Sequence, residues 1–315
     1  MVYMKHLTIV ACALLALCSC SGGGGSNDPD PTPTPTPTPK PTPTPSEKLP
    51  INISTTMSSR ATDYAFEAGD KIGLFVVNHN ADGSAASLKA SGNHVDNNPY
   101  TYNGTWVATN PTYWTDATTH ADFYLYYPYT PTLSSVEAMP WSVKADQSQE
   151  ADYKASDLLI GKTTDVAPTE TAVKIDAKHV MSQMVIKLVA GNGFTDASLK
   201  DAKISVLINR LKTNATANLS TSAVTATGDD QNITPLKVDG GYKAIIVPQA
   251  VGEGNLITVN VDGRDYNLPK DAKITAFEAG KKYQFTVTLS KTSNGVNVNI
   301  TKWEDDGIDY GGTAE

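Results

Sequence analysis

The stretch Tyr283-Gln284-Phe285-Thr286-Val287-Thr288-Leu289 sets an apolar side chain at every second position with polar residues between. That period belongs to a β-strand with one face in a core. Ile51, Ile53 and Met57 alternate with Asn52, Ser54 and Thr56 in the same way, and Val296, Val298 and Ile300 alternate with asparagines. Working outward, further apolar runs lie at Ile72 to Val77, Phe123 to Tyr127, Met184 to Val189, Ile204 to Ile208, Ala244 to Val247 and Ile257 to Val261. Turn-rich segments such as Asn80-Ala81-Asp82-Gly83 and Asp239-Gly240-Gly241 separate them. No long helical period competes. The chain is therefore read as all-β, with strands whose number and spacing suit two antiparallel β-sandwich domains. A boundary near Thr169 divides an N-terminal domain, 49–170, from a C-terminal one, 171–315.

Phe66-Glu67-Ala68-Gly69 before one expected strand recurs as Phe277-Glu278-Ala279-Gly280 before another. A strand-ending proline likewise occurs twice, at Pro128 and Pro248, but at a different separation. The pairs are read as shared turn devices and not as a tandem repeat.

Composition narrows the function. Of 315 residues 18% are charged, and 33 Asp+Glu outnumber 25 Lys+Arg for a formal net charge of −8. A nucleic-acid partner is excluded on this balance, because phosphate binding needs a basic face. Only Arg60, Arg210 and Arg264 are arginines, which leaves no cluster for bidentate recognition of phosphate or carboxylate.

All three cysteines, Cys12, Cys18 and Cys20, fall in the first twenty residues, so the rest of the chain has no thiol for a disulfide, a zinc site or nucleophilic attack. Lys5 and His6 precede an apolar run from Leu7 to Leu17, which suits a signal-peptide core and is too short to span a bilayer. Leu17-Cys18-Ser19-Cys20 resembles a bacterial lipobox, with Cys20 as the acylated residue and Cys18 as the poorer fit. Residues 1–19 are then a lipoprotein signal peptide. Several acyl chains at about 0.8 kcal/mol per buried CH₂ make a stable outer-membrane anchor. Residues 20–48 form a tether, Gly/Ser-rich at first and then Thr-Pro, with nine of the 19 prolines between Pro29 and Pro45. Polyproline II at about 3.1 Å per residue makes this a semi-rigid spacer of roughly 50 Å, suited to surface display.

Catalytic patterns are weak. Gly161-Lys162-Thr163 lacks the upstream glycine of a phosphate-binding loop, having Ser156 in its place. His120 and Asp122 share a strand face and His179 precedes a strand, yet no pair has a metal spacing. Glu304-Asp305-Asp306 lacks the alternating ligands of a calcium loop and reads as a solvated acidic run. Six Asn-x-Ser/Thr triplets follow from a composition rich in Asn and Thr. The expectation is a non-enzymatic protein without cofactor or metal.

The segment from Tyr100 to Trp141 carries the densest aromatic content, including Tyr102, Trp106, Tyr113, Trp114, Phe123, Tyr124, Tyr126, Tyr127 and Tyr129. Exposed flat rings stack on sugars, which makes a glycan-binding surface lipoprotein using residues 100–141 the second functional reading. Strand-forming aromatics also fill sandwich cores, and that is the expected outcome.

The order of several short motifs resembles the fimbrillin family of the Bacteroidales, subunits of type V pili. These are Ser59-Arg60-Ala61 ahead of Phe66-Glu67-Ala68-Gly69-Asp70-Lys71-Ile72-Gly73, Tyr113-Trp114, Asp122 to Tyr129, Ser156-Asp157-Leu158-Leu159, His179, Ile246-Val247-Pro248-Gln249 and Ile300-Thr301-Lys302-Trp303. The resemblance covers roughly Ile51 to Trp303. It implies two transthyretin-like β-sandwich domains, export as a lipoprotein, and cell adhesion through a fimbrium built by donor-strand exchange once a protease removes the first strand. It also implies cleavage after an arginine, here between Arg60 and Ala61. Other fimbrial subunits are the implied partners, with host or bacterial surface ligands beyond them. Stalk, anchor and tip positions all fit, and the long tether favours an uncleaved anchor or a standing surface lipoprotein.

A physical argument runs beside the resemblance. Ile51, Ile53 and Met57 form a one-sided apolar strand just before Arg60, so a cut there leaves that strand held only by pairing. Its three side chains are worth about 4 to 8 kcal/mol on burial. Their loss opens an apolar groove with unpaired backbone edges that a neighbour's strand can fill. Val296, Val298 and Ile300 are the candidate donor segment, along with the tail through Ile308 and Tyr310.

Overall fold

The computed structural model describes residues 48–57, 65–291, 297–302 and 312–314, the last two stretches through their backbone. In chain order the first elements are β1 (Ile53–Met57), β2 (Lys71–Asn78), β3 (Val95–Tyr102), β4 (Trp106–Ala108), β5 (Ala121–Tyr127), β6 (Met139–Ser142), helix α1 (Glu150–Ser156), β7 (Leu159–Val166) and β8 (Val173–His179). Then follow β9 (Ser182–Ala190), helix α2 (Asp196–Asp201), β10 (Ile204–Ala217), β11 (Val224–Ile233), β12 (Leu236–Val238), β13 (Gly241–Ile246), β14 (Gln249–Ala250), β15 (Asn255–Val261), β16 (Arg264–Pro269), β17 (Ala276–Phe277), β18 (Lys281–Leu289), β19 (Asn297–Lys302) and β20 (Gly312–Ala314). The all-β reading of the sequence is correct, and the two helices are short, seven and six residues, on connections between strands.

A seven-stranded sheet runs β1-β8-β7-β5-β2-β3-β4. Its pairings are antiparallel except for β1 on β8. The later strands form a five-stranded sheet, β11-β10-β15-β16 with β6 also on β10, and a six-stranded sheet, β12-β13-β9-β18-β19 with β20 on β18. β9 and β18 are parallel, as are β18 and β20, further departures from the antiparallel expectation. The β1–β8 and β9–β18 pairs join strands far apart in sequence, where long connections allow a crossover.

Burial explains the strand patterns. In β2, Ile72, Leu74 and Val76 enter one core while Phe75 and Val77 enter a second, so the central strand is apolar on both faces and reads as a continuous run. β5 does the same, with Phe123 and Leu125 on one side and Tyr124 and Tyr126 on the other. Gly73 is required here: a Cβ would strike the Tyr126 ring, whose hydroxyl donates to Asn97 Oδ1 at 2.8 Å and is also 2.9 Å from the Thr130 carbonyl. Burial pushes that phenol up to about 12.

The larger core contains side chains from the seven-stranded sheet together with Ile208, Ile245, Phe277 and Phe285 from later strands. The segment 139–147 sews these parts together. β6 pairs with β10, the Val143 N–H donates to the Thr213 carbonyl at 2.9 Å, and Thr234 and Ala145 are joined at 2.8 Å.

Candidate functional site

β1 is an edge strand. Its five residues pair in parallel with β8, from Ile53 opposite Val173 to Met57 opposite Ala177, and among the described residues no second strand of the sheet covers its other edge. Just ahead of it the chain is clasped differently. The Ile51 N–H donates to the Thr112 carbonyl and the Trp114 N–H to the Leu49 carbonyl, each at 2.9 Å. Ile51 and Ile53 are buried, Met57 is half-buried, and the intervening Thr55 accepts the Trp106 indole N–H at 2.9 Å. That last bond reaches across from β4, at the opposite end of the same sheet.

Beside β1 lies an open groove walled by Ile53, Thr55, Met57, Phe66, Tyr102 and Trp106. Phe66 is its keystone: its ring lies 4.9 Å from Trp106 and 5.4 Å from Tyr127, both edge-on. Aromatic pairs in that arrangement add about 0.5–1.5 kcal/mol each beyond area burial.

The Phe-Glu-Ala-Gly segments are the turn devices expected. Asp70 N–H donates to the Glu67 carbonyl at 3.0 Å and Lys281 N–H to that of Glu278 at 3.3 Å. Gly69 (φ +102°) and Gly280 (φ +68°) occupy the left-handed position that glycine accepts without strain. In the second copy Phe277 packs edge-on against Tyr283 at 4.8 Å.

Below the end of β1 sits an acidic pocket lined by Met57, Phe66, Glu67, Asp70, Asp157 and His179, with Lys154 and Tyr127 at its wall. His179 Nδ1 pairs with Asp157 Oδ2 at 2.6 Å, the aspartate buried and the histidine nearly so. The other oxygen, Oδ1, is buried with no hydrogen-bond partner among the described residues. Tyr127 donates to Asp70 at 3.0 Å, and burial, followed by the Asp70 charge, pushes its phenol well above the usual range. The Glu67 carboxylate, 3.0 Å from Lys154 Nζ, holds that ammonium above its ordinary value.

His79 and His120 clamp neighbouring segments together. Asp122 is buried and accepts from His79 Nε2 and from the Asp165 N–H, each at 2.8 Å. His120 pairs with Asp165 at 2.6 Å. Among the described residues no group of three or more His, Cys, Asp or Glu is placed to hold a metal ion. Gly161-Lys162-Thr163 lies within strand β7, not in a phosphate-binding loop.

The aromatic segment does not form a sugar platform. Tyr100, Trp106, Trp114, Phe123, Tyr124 and Tyr126 are all buried, and Tyr113, at 40% exposure, is the single large exposed ring among the described residues. These rings fill cores because they alternate on strands whose both faces are covered. Cys20, Arg60, Ala61 and Val296 lie outside the described residues, as do Glu304, Ile308 and Tyr310. Val298 and Ile300 fall on β19, opposite Phe285 and Tyr283 of β18.

Comparison with known proteins follows the same lines. A family model described as fimbrillin-like matches residues 59–303. A Bacteroides uniformis protein named as a fimbrium subunit, Fim1C, is 30% identical over 260 residues, spanning 78% of this chain and 82% of that protein. A Bacteroides ovatus protein named as a fimbrium tip subunit is 28% identical over 163 residues, 46% of this chain and 29% of its own length. Among crystal structures, a protein of Bacteroides uniformis described in terms of cell adhesion superposes with a TM-score of 0.64 at 26% identity. That superposition covers 81% of this chain and 98% of the other.

Proposed function

The chain belongs to the fimbrillin-like family, and from that premise we propose that it is a non-enzymatic fimbrial subunit that joins its neighbours by strand exchange at the β1 groove. Export as a lipoprotein acylated at Cys20 precedes assembly. Cleavage between Arg60 and Ala61 then severs β1 from the chain that follows, and a strand from a second subunit takes its place. The segment at Val296, Val298 and Ile300 is the donor, with cell adhesion as the role of the assembled fimbrium.

The observation that carries this reading is the one-sided attachment of β1: an edge strand that buries Ile53, with Ile51 buried just ahead of it, and that among the described residues pairs along its length with β8 alone. While it stays covalently attached, its high local concentration outcompetes an incoming strand. After a cut it becomes an ordinary ligand that can leave. The proposed donor is also an edge strand, since among the described residues β19 pairs only with β18.

The test is Arg60→Ala. That variant is expected to accumulate as membrane-anchored monomer, while ordered polymers of protein that retains residues 51–57 would refute the mechanism. An uncleaved anchor at the fimbrial base is the second reading, favoured by the Thr-Pro tether, which cleavage after Arg60 would discard.

A further inference from the structure

We propose that the strand inserted from a second copy seats Lys302 where Met57 now lies, with its ammonium on the free oxygen of Asp157; the proposal rests on the strand-exchange reading above. The seat has a fixed pattern. Positions 51 and 53 are buried at 4% and 6% exposure, position 55 is half-buried, and position 57 lines the acidic pocket. A donor running in the direction of β1 offers alternate residues of one face: Asn294, Val296, Val298, Ile300, Lys302 and Glu304.

Three registers present themselves, each two residues from the next. Starting with Val298 at position 51 drives Glu304 into a pocket that already holds Glu67, Asp70 and Asp157 against Lys154. Starting with Asn294 puts an amide in the apolar seat of Ile51. Starting with Val296 places Val296 and Val298 in the two buried seats, Ile300 at the half-buried one and Lys302 at position 57. The Trp106 indole N–H loses the Thr55 hydroxyl in all three, so that loss does not discriminate.

Charge decides the last seat. Asp157 is buried, one of its oxygens is bonded to His179, and the other has no hydrogen-bond partner among the described residues. A buried carboxylate oxygen without a donor is costly, and a primary ammonium satisfies it by charge-assisted hydrogen bonding. A methionine cannot. The incoming strand therefore supplies something the resident strand lacks, which gives exchange a direction and fixes its register.

The native cysteines, Cys12, Cys18 and Cys20, all precede the proposed cut, so paired cysteines report the register cleanly. Met57 lies opposite Ala177 on β8, a spacing a disulfide can bridge. Fimbrial material is isolated from cells expressing the full chain with Ala177→Cys combined with Lys302→Cys, Ile300→Cys or Glu304→Cys, oxidised, and run without reductant. The Lys302→Cys pair should give a covalent ladder at least tenfold stronger than either neighbour. In otherwise native protein, Lys302→Glu should slow polymer growth about tenfold while Lys302→Arg preserves it. A ladder strongest with Ile300→Cys or Glu304→Cys overturns the register and leaves strand exchange standing. Wild-type polymer with no ladder in any pair overturns the donor assignment, and absence of polymer from cleaved wild-type protein overturns both.

Discussion

Gln147 binds Ile245 as a neighbouring strand would: its side-chain nitrogen donates to the Ile245 carbonyl at 2.7 Å, and its side-chain oxygen accepts the Ile245 N–H at 2.8 Å. The amide is fully buried and donates also to the Lys144 carbonyl at 3.0 Å. One side chain thus closes the edge of β13 beyond the end of β12, whose pairing stops at Lys243, and ties the 139–147 segment to the six-stranded sheet. Gln249 does the same for Lys212, bonding both its N–H and its carbonyl.

Gln147→Ala leaves a buried N–H and two carbonyls without partners. At about 1–3 kcal/mol for each unsatisfied buried group, with the Ile245 N–H and carbonyl the two that water cannot reach, a loss of about 2–6 kcal/mol is expected. Urea unfolding of the folded region should show it as a lower midpoint with unchanged slope.

The His79–Asp122 pair makes stability depend on pH. The hydrogen bond to Asp122 holds the His79 pKa above the ordinary 6.5, against the opposing effect of burial. Because the folded value is raised, the contribution is fully present below pH 6.5 and is lost as pH rises through the folded value. The midpoint difference between wild type and His79→Gln should therefore be largest at pH 6 and shrink toward pH 8. A difference that grows with pH would reverse the assignment.

Trp106→Phe removes the indole N–H that reaches Thr55 while keeping a ring beside Phe66. The expected cost is about 1 kcal/mol. Release of β1 after cleavage should be correspondingly faster, by about fivefold, when followed by fluorescence of a label on the freed strand.

How much of this was visible beforehand differs from strand to strand. β18 and the region of β1 were plain because one face is buried and the alternation is unbroken. The alternation of β10 is legible only to Ile208, since Arg210 adopts φ +55° where the register shifts between Ile208 and Leu211. The buried set then shifts from Val206 and Ile208 to Leu211, Thr213, Ala215 and Ala217, breaking the period of two. β11 is mostly exposed and β3 carries Asn97, Asn98 and Pro99, so neither has an apolar signature. The groove was foreseeable from Ile51, Ile53 and Met57. The acidic pocket was not, because Asp157 and His179 meet across 22 residues of chain and Phe66, Tyr102 and Trp106 converge only once the sheet curls. Arg60 stood out only through resemblance and its rarity.

Cys20→Ala should abolish metabolic labelling with a fatty acid and release the protein from the membrane fraction. Labelling that persists in this variant would move the attachment site elsewhere, with Cys18 the first alternative.

Direct N-terminal sequencing of subunits taken from the assembled fimbrium tests the central claim, that severing β1 from the chain licenses assembly. The account predicts Ala61-Thr62-Asp63-Tyr64, with the Thr-Pro tether gone from the polymer. Polymerised subunits that still begin at an acylated Cys20, with residues 51–57 in place, would contradict it.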